Sequence, residues 1–395
     1  MSSTPMKETL NSSGRSESPA SILKNRKITQ HLKNVLEQSP RDLLVHHELS
    51  VNEMPGGLRE AYIRGHYREP HQKFTSYLGS IFEIHNESLN IWTAILSVVC
   101  IFVWFWRHCM ERSIFSTPEA WPITLVAGAM MTTHIASANA HTMCHHSVEY
   151  SGVFYMFDYF GITIYLYLAA IATFVYSVPL PNTQTLMTVV LVLSLFNSVA
   201  WPVFCSRALA AYRRTNELSQ RPSLSTQLFL LNCFNAAFCG LCGLIRVYNL
   251  PIWTAAGKVA VAVGTKDDVQ PDIGGYWYLA WLLVSLADLA VYKFHIPESL
   301  IPPKSRSSWL WDIFHSHTIH HVLALGSHLC HLEALETDWE TKLLPGQSED
   351  MLWALQNVST IALIVSLSNF SVIFVLVENF FTFIRHFRKM SHLMM

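Results

Sequence analysis

Charge is scarce in this sequence. Only 14% of its 395 residues are Asp, Glu, Lys or Arg, and 51% are hydrophobic, whereas a soluble chain carries roughly a quarter charged residues. The net charge of −1 excludes a strongly polyanionic partner, and no nucleic acid is expected. Cysteine is present but not as a framework. Eight are scattered along the chain, and Cys100, Cys205, Cys233, Cys239 and Cys242 fall inside apolar runs, where a thiol reads as a small packing residue. Cys239 and Cys242 have the spacing of a metal or redox pair, but no second pair accompanies them. No leader is expected in residues 1–22, which are polar and Ser-rich with no apolar core, so the first apolar run is expected to act as the insertion signal. Sustained period-two alternation is lacking, which argues against a membrane β-barrel. No inverted repeat or pair of Gly/Pro-broken helices points to a transporter.

In place of charge stand apolar runs of about 20 residues, the length that crosses a bilayer as helix. Eight are marked: 89–106, 120–141, 152–177, 184–206, 226–250, 275–294, 313–335 and 351–383. The expectation is an all-α, multi-pass membrane protein. Lys and Arg gather before the first run (Lys24, Arg26, Lys27, Lys33, Arg41, Arg59, Arg64, Arg68, Lys73), after the fourth (Arg207, Arg213, Arg214, Arg221), after the sixth (Lys304, Arg306) and after the eighth (Arg385, Arg388, Lys389). Asp267, Asp268 and Asp272 follow the fifth, and Glu336, Asp338, Glu340, Glu349 and Asp350 follow the seventh. The positive-inside rule then puts both termini in the cytoplasm. Four regions follow: a cytoplasmic N-terminal region 1–75, disordered over its first ~40 residues; a helical core 76–335; an acidic extracytoplasmic loop 336–350; and an eighth membrane helix with a basic tail, 351–395.

Inside this apolar background the histidines stand out. His317 and His321, in HSHTIHHVLALGSHLCHLEAL, are four residues apart, so both lie on one helix face. His141, in SANAHTMCHH, ends the second run. Under the topology above, the second run ends and the seventh begins at the cytoplasmic side, so charge distribution and histidine placement agree independently. Three imidazoles from two helices suit a Zn²⁺ ion with one position left open. Ser137 lies one turn from His141 on the same face, and Asp158, about two turns into the third run, is a carboxylate that an apolar span does not carry without a role. The alternative reading treats these as interfacial and packing histidines: the chain has 20, His141 and His145 form another i, i+4 pair, and His328 and His331 share the stripe of His317 deeper in the span. Asp288, in the sixth run, has no evident partner and reads as structural.

The block SIFEIHNESLNIWT (80–93), then Ser137 with His141, then Phe157, Asp158, Tyr159 and Gly161, then Ser316, His317, His320 and His321 resembles the progestin and adipoQ receptor family, related to haemolysin III-type proteins. EAYIRGHYREPHQ (60–72), LEALETDWE (332–340) and the eighth span make it more similar to the membrane progestin receptors than to the adiponectin receptors. The resemblance implies a seven-helix core plus the extra C-terminal helix, and zinc held near the cytoplasmic face by His141, His317 and His321. It implies that Ser137 and Asp158 neighbour the water at that ion, and that Glu83, Asn86 and Asn90 belong to a short helix entering the first span. It implies a plasma-membrane receptor for a lipophilic ligand, a steroid or a sphingolipid, embedded among membrane lipids and passing its signal to a cytoplasmic protein. A zinc-dependent intramembrane hydrolase of ceramide-type amides, with Asp158 and Ser137 as catalytic groups, is the other function expected, and a purely structural zinc is the third.

Overall fold

The structure, a computed structural model, describes residues 49–112, 117–177, 183–215, 234–242, 273–302, 310–340 and 349–394. Seven long helices are described: α1 Ser88–Arg112, α2 Trp121–Met143, α3 Val148–Ser177, α4 Thr183–Thr215, α5 Ile273–Phe294, α6 Ser316–Asp338 and α7 Glu349–Met394. They fall on the marked runs to within several residues at each end, except that α4 and α7 continue past 206 and 383 to Thr215 and Met394. The fifth run is represented by helical residues 234–242; the remainder of it, the expected disordered N-terminal stretch, the 267–272 acidic loop and most of the 336–350 loop lie outside the described residues.

The protein is an all-α, multi-pass membrane protein. Stretches of α1, α3, α4, α5 and α7 are long and apolar enough to cross a bilayer. Helices α2 and α6, at 23 residues each, have the length, but Thr, Ser, Asn and His interrupt their apolar character. Those two carry the histidines at issue. Outside and inside are inverted relative to a soluble protein. Leu96, Phe102, Val103 and Trp106 of α1, Leu195 and Val199 of α4, and Ile364, Leu367 and Phe374 of α7 are exposed, while His85, Glu87, Asn90, His141, Asp158 and His331 are buried. An apolar belt of that extent is costly in water and at rest in hydrocarbon.

Helix α3 is the central element, with 78% of its apolar window buried against 22% for α7. It approaches α2 closely at Gly161, where a Cβ would stand 2.6 Å from the Thr133 Cα; only glycine lets the two backbones meet there. Residues 234–242 are tied to α4 by a reciprocal amide pair, Asn197 Nδ2 to Asn235 Oδ1 at 3.1 Å and Asn235 Nδ2 to Asn197 Oδ1 at 2.9 Å. Cys239 and Cys242 are buried in the main apolar core as free thiols, in keeping with a packing role.

Residues 49–73 form a cap at the end where α2 finishes and α6 begins. Met54, Leu58, Ile63 and Tyr67 make its own small core, and Leu49 and Tyr67 exchange an antiparallel bridge. From this cap the buried Arg68 donates to the carbonyls of His141 at 2.6 Å and Thr142 at 2.7 Å and to Ser80 Oγ at 3.0 Å. A guanidinium thus satisfies carbonyls that the end of α2 leaves without helical partners. Counted from sequence as one more cytoplasmic cation, Arg68 is a helix cap.

Candidate metal centre

His141 sits in the last turn of α2, and His317 and His321 in the first two turns of α6. Their Nε2 atoms converge: His317 is 3.0 Å and His321 3.2 Å from His141. The ligand atoms of all three lie within 4.8 Å of one another. Neutral imidazoles offer each other one lone pair and at most one proton per ring, so a three-way cluster cannot satisfy itself by hydrogen bonds. Tetrahedral zinc with Zn–N of about 2.0–2.1 Å places ligand nitrogens roughly 3.3 Å apart. The donor set fits a zinc ion.

The groups behind the trio prepare it. Glu87 Oε2 accepts from His141 Nδ1 at 2.7 Å and from Asn90 Nδ2 at 2.8 Å. With Nδ1 committed to the carboxylate, Nε2 keeps its lone pair for the centre. Asn90 Oδ1 in turn accepts from Thr318 Oγ1 at 2.8 Å, so a hydrogen-bonded strap runs from α6 through the start of α1 to α2. Glu298 caps α6, accepting from Ser316 N at 2.8 Å and from the Ser316 hydroxyl. A carboxylate at that end also opposes the partial positive charge of the helix start.

Ser137 and Asp158 are both buried, and the Ser137 hydroxyl is a side-chain hydrogen-bond partner of Asp158, which has His141 and His320 as neighbours. Asp158 is ten residues into α3, nearly three turns, because α3 starts at Val148 and not at 152. His320 faces away from the trio, as its helical position requires, and binds Asp288 of α5, Nδ1 to Oδ1 at 2.6 Å. Asp288 therefore has the partner that the sequence did not reveal.

The short helix expected to carry Glu83, Asn86 and Asn90 into the first span does not run through them. Ser88 Oγ accepts from His85 N at 2.8 Å and donates to the Glu83 carbonyl at 2.7 Å, which holds 83–87 in a turn and starts α1 at Ser88. Glu83 is exposed, and Asn86, Glu87 and Asn90 point inward. Glu87, the residue that touches His141, was not singled out from sequence. Glu298 and Arg68 were missed in the same way: each acts on a helix end remote in sequence.

The other histidines go elsewhere. His145 groups with Glu87 and Cys144 as a second set of potential ligand atoms, but the Arg68 guanidinium lies 3.5 Å from the Cys144 sulfur, a fixed cation where a metal would add another. His134 Nε2 meets His328 Nδ1 at 3.1 Å. His331 uses both nitrogens, with Tyr165 OH at 3.2 Å and Thr173 Oγ1 at 2.9 Å.

Comparison with known proteins adds a second line of observation. A family model described as "Haemolysin-III related" matches residues 82–332, a stretch that contains Glu87, Ser137, His141, Asp158, His317 and His321 and stops before α7. The chain is 34% identical over 131 residues to a protein named membrane progestin receptor alpha from Cynoscion nebulosus, covering 33% of this chain and 37% of that protein. It is 23% identical over 291 residues to membrane progestin receptor alpha from Homo sapiens, covering 73% and 76%. With membrane progestin receptor gamma-B from Danio rerio it shares 24% over 303 residues, covering 73% and 81%. The more identical alignments thus span little more than a third of the relatives they match, and the longer ones are more divergent.

Proposed function

We propose that this chain, which belongs to the haemolysin-III related family, is a membrane receptor for a lipophilic ligand of steroid type, with a zinc centre formed by His141, His317 and His321 at the cytoplasmic end of its bundle. The approach of the His317 and His321 Nε2 atoms to that of His141, at 3.0 and 3.2 Å, with Glu87 behind His141, carries the zinc assignment. The names of the relatives support the ligand class. The distribution of Lys and Arg supports cytoplasmic termini, and the plasma membrane is the natural site for such a receptor. Ligand binding biases two helix arrangements, and the basic segments 207–221 and 298–308 present that difference to a cytoplasmic signalling protein.

Zinc held by the trio would acidify water and polarise a carbonyl. The residues around it do the rest. Glu87 fixes the tautomer of His141, Arg68 and Glu298 fix the helix ends that carry the ligands, and Asp158 with Ser137 offers a buried carboxylate and hydroxyl for holding and moving a proton. That last pair favours a second reading, hydrolysis of a ceramide-type lipid amide. The two readings are compatible, since a hydrolysis product can itself be the signal.

Zinc content and ceramide hydrolysis measured on one purified preparation, wild type beside Asp158→Asn, separate them. Zinc at one per chain with turnover lost in the variant makes the protein a hydrolase. Zinc without turnover in either protein leaves the receptor reading, and steroid binding is then the direct assay. Absence of zinc in the wild type sinks the metal assignment. An N-terminal tag that antibodies reach on intact cells refutes the proposed topology.

A further inference from the structure

A cavity of about 520 Å³ opens between α7, the corner joining α2 to α3, and the cap. That volume is in the range of small-molecule sites. None of its lining belongs to the histidine trio, and one whole wall comes from α7, which the family match does not reach. Phe374, Val377, Phe381 and Ile384 form that wall. At spacings of three and four residues they make one face of the helix. The opposite rim is polar and comes from the cap, the corner between α2 and α3, and the first turn of α3. Apolar toward the span and polar toward its end, the cavity has the profile of the headgroup level of a bilayer.

Its charges are unequal. Glu149, Glu378 and Arg385 line it, two carboxylates to one guanidinium. Arg385 turns back to Thr382 Oγ1 at 3.2 Å. Glu378 lies within the apolar stretch Trp353–Arg385 and is exposed, and no hydrogen bond or ion pair engages it among the described residues. An unpartnered carboxylate within an apolar span is costly to keep. Burial and the neighbouring His71 hold the His146 imidazole below its usual range, and its buried Nδ1 has no hydrogen-bond partner among the described residues. Aromatic rings complete the rim. Tyr150 meets His146 at 4.6 Å and Phe381 lies 4.9 Å from Tyr150, while Phe74, outside the lining, stacks on His146 at 4.5 Å.

Excess carboxylate beside aromatic faces is the chemistry that receives a cationic nitrogen; the apolar wall receives a hydrocarbon chain. We propose that this cavity binds a membrane amphiphile whose headgroup carries a cationic nitrogen, either a long-chain amine or a choline-headed phospholipid. The site is independent of the zinc centre and stands or falls separately from it.

The test is equilibrium binding to the purified full-length chain in an uncharged maltoside detergent. Four probes of equal chain length are compared: dodecylamine, dodecyl lysophosphatidylcholine, dodecanol and dodecanoate. The two probes with a cationic nitrogen, dodecylamine and the zwitterionic lysophosphatidylcholine, should bind at least tenfold tighter than the alcohol, and dodecanoate weakest. Glu378→Gln should remove most of that preference while leaving dodecanol affinity and zinc content unchanged, and Glu378→Lys should turn the preference toward dodecanoate. The amine binding tightest assigns a free long-chain base; the phosphocholine binding tightest assigns a phospholipid, with Arg385 available to its phosphate. Equal affinity for amine and alcohol, tighter dodecanoate binding in the wild type, or a Glu378→Gln protein that keeps the full preference overturns the proposal.

Discussion

The two ends of α6 bury the same kinds of side chain and use them in opposite ways. At its start, His317 and His321 meet His141 with three nitrogens aimed at one point, and the nearest carboxylate stands behind one imidazole on its far side. At its finish, Glu336 pairs directly with the buried His108 of α1, whose ring stacks on Trp104 at 3.9 Å and whose Nδ1 is 2.7 Å from the Trp104 carbonyl. Trp104 itself donates to Glu333 at 2.9 Å. The far pair is closed, with each group answering another. The near cluster is open, because like groups face each other and none can answer the rest. Burial of a histidine in a membrane does not by itself mark a site; lone pairs left facing a common point do.

Four variants probe that contrast. The largest effect is expected from His141→Ala combined with His317→Ala, which should take zinc, measured by elemental analysis, from one per chain to background while the protein still inserts. If zinc persisted at full stoichiometry, the two ends would not differ in the way described. Next comes Glu336→Ala, which strands a buried imidazole and should cost about 3–5 kcal/mol in thermal unfolding while zinc per folded chain stays constant. Replacing both partners, His108→Phe with Glu336→Leu, should recover much of that loss. The smallest is Glu87→Gln, for which competition with a chelator should show zinc binding weakened roughly 10–100-fold with little change in unfolding temperature. Equal damage to stability and to zinc from this change would mean that Glu87 is only one more closed pair.

Much of this was legible in the sequence because helical periodicity is rigid. An i, i+4 histidine pair must share a face, and the runs that lack charge must be helices if they lie in lipid. Across helices the sequence was blind. Asp288 read as a lone structural carboxylate because its partner, His320, is 32 residues away on α6. Glu87 was passed over in favour of Glu83 because a continuous helix was assumed through 83–90, and the Ser88 hydroxyl bonds break that helix. Arg68 and Glu298 look like ordinary loop charges until the ends of α2 and α6 are placed beside them. The unequal charge of the α7 cavity likewise depends on residues of α3 and α7, more than 200 positions apart in sequence, meeting at one rim.

The strap from Thr318 through Asn90 and Glu87 to His141 holds the two ligand-bearing helices in register using protein groups alone. The centre is therefore a lock cut before its key arrives: metal exchange need not wait on refolding. Under the proposed zinc assignment, occupancy should then follow the free zinc available to the cell, and zinc supply would be an input to the protein.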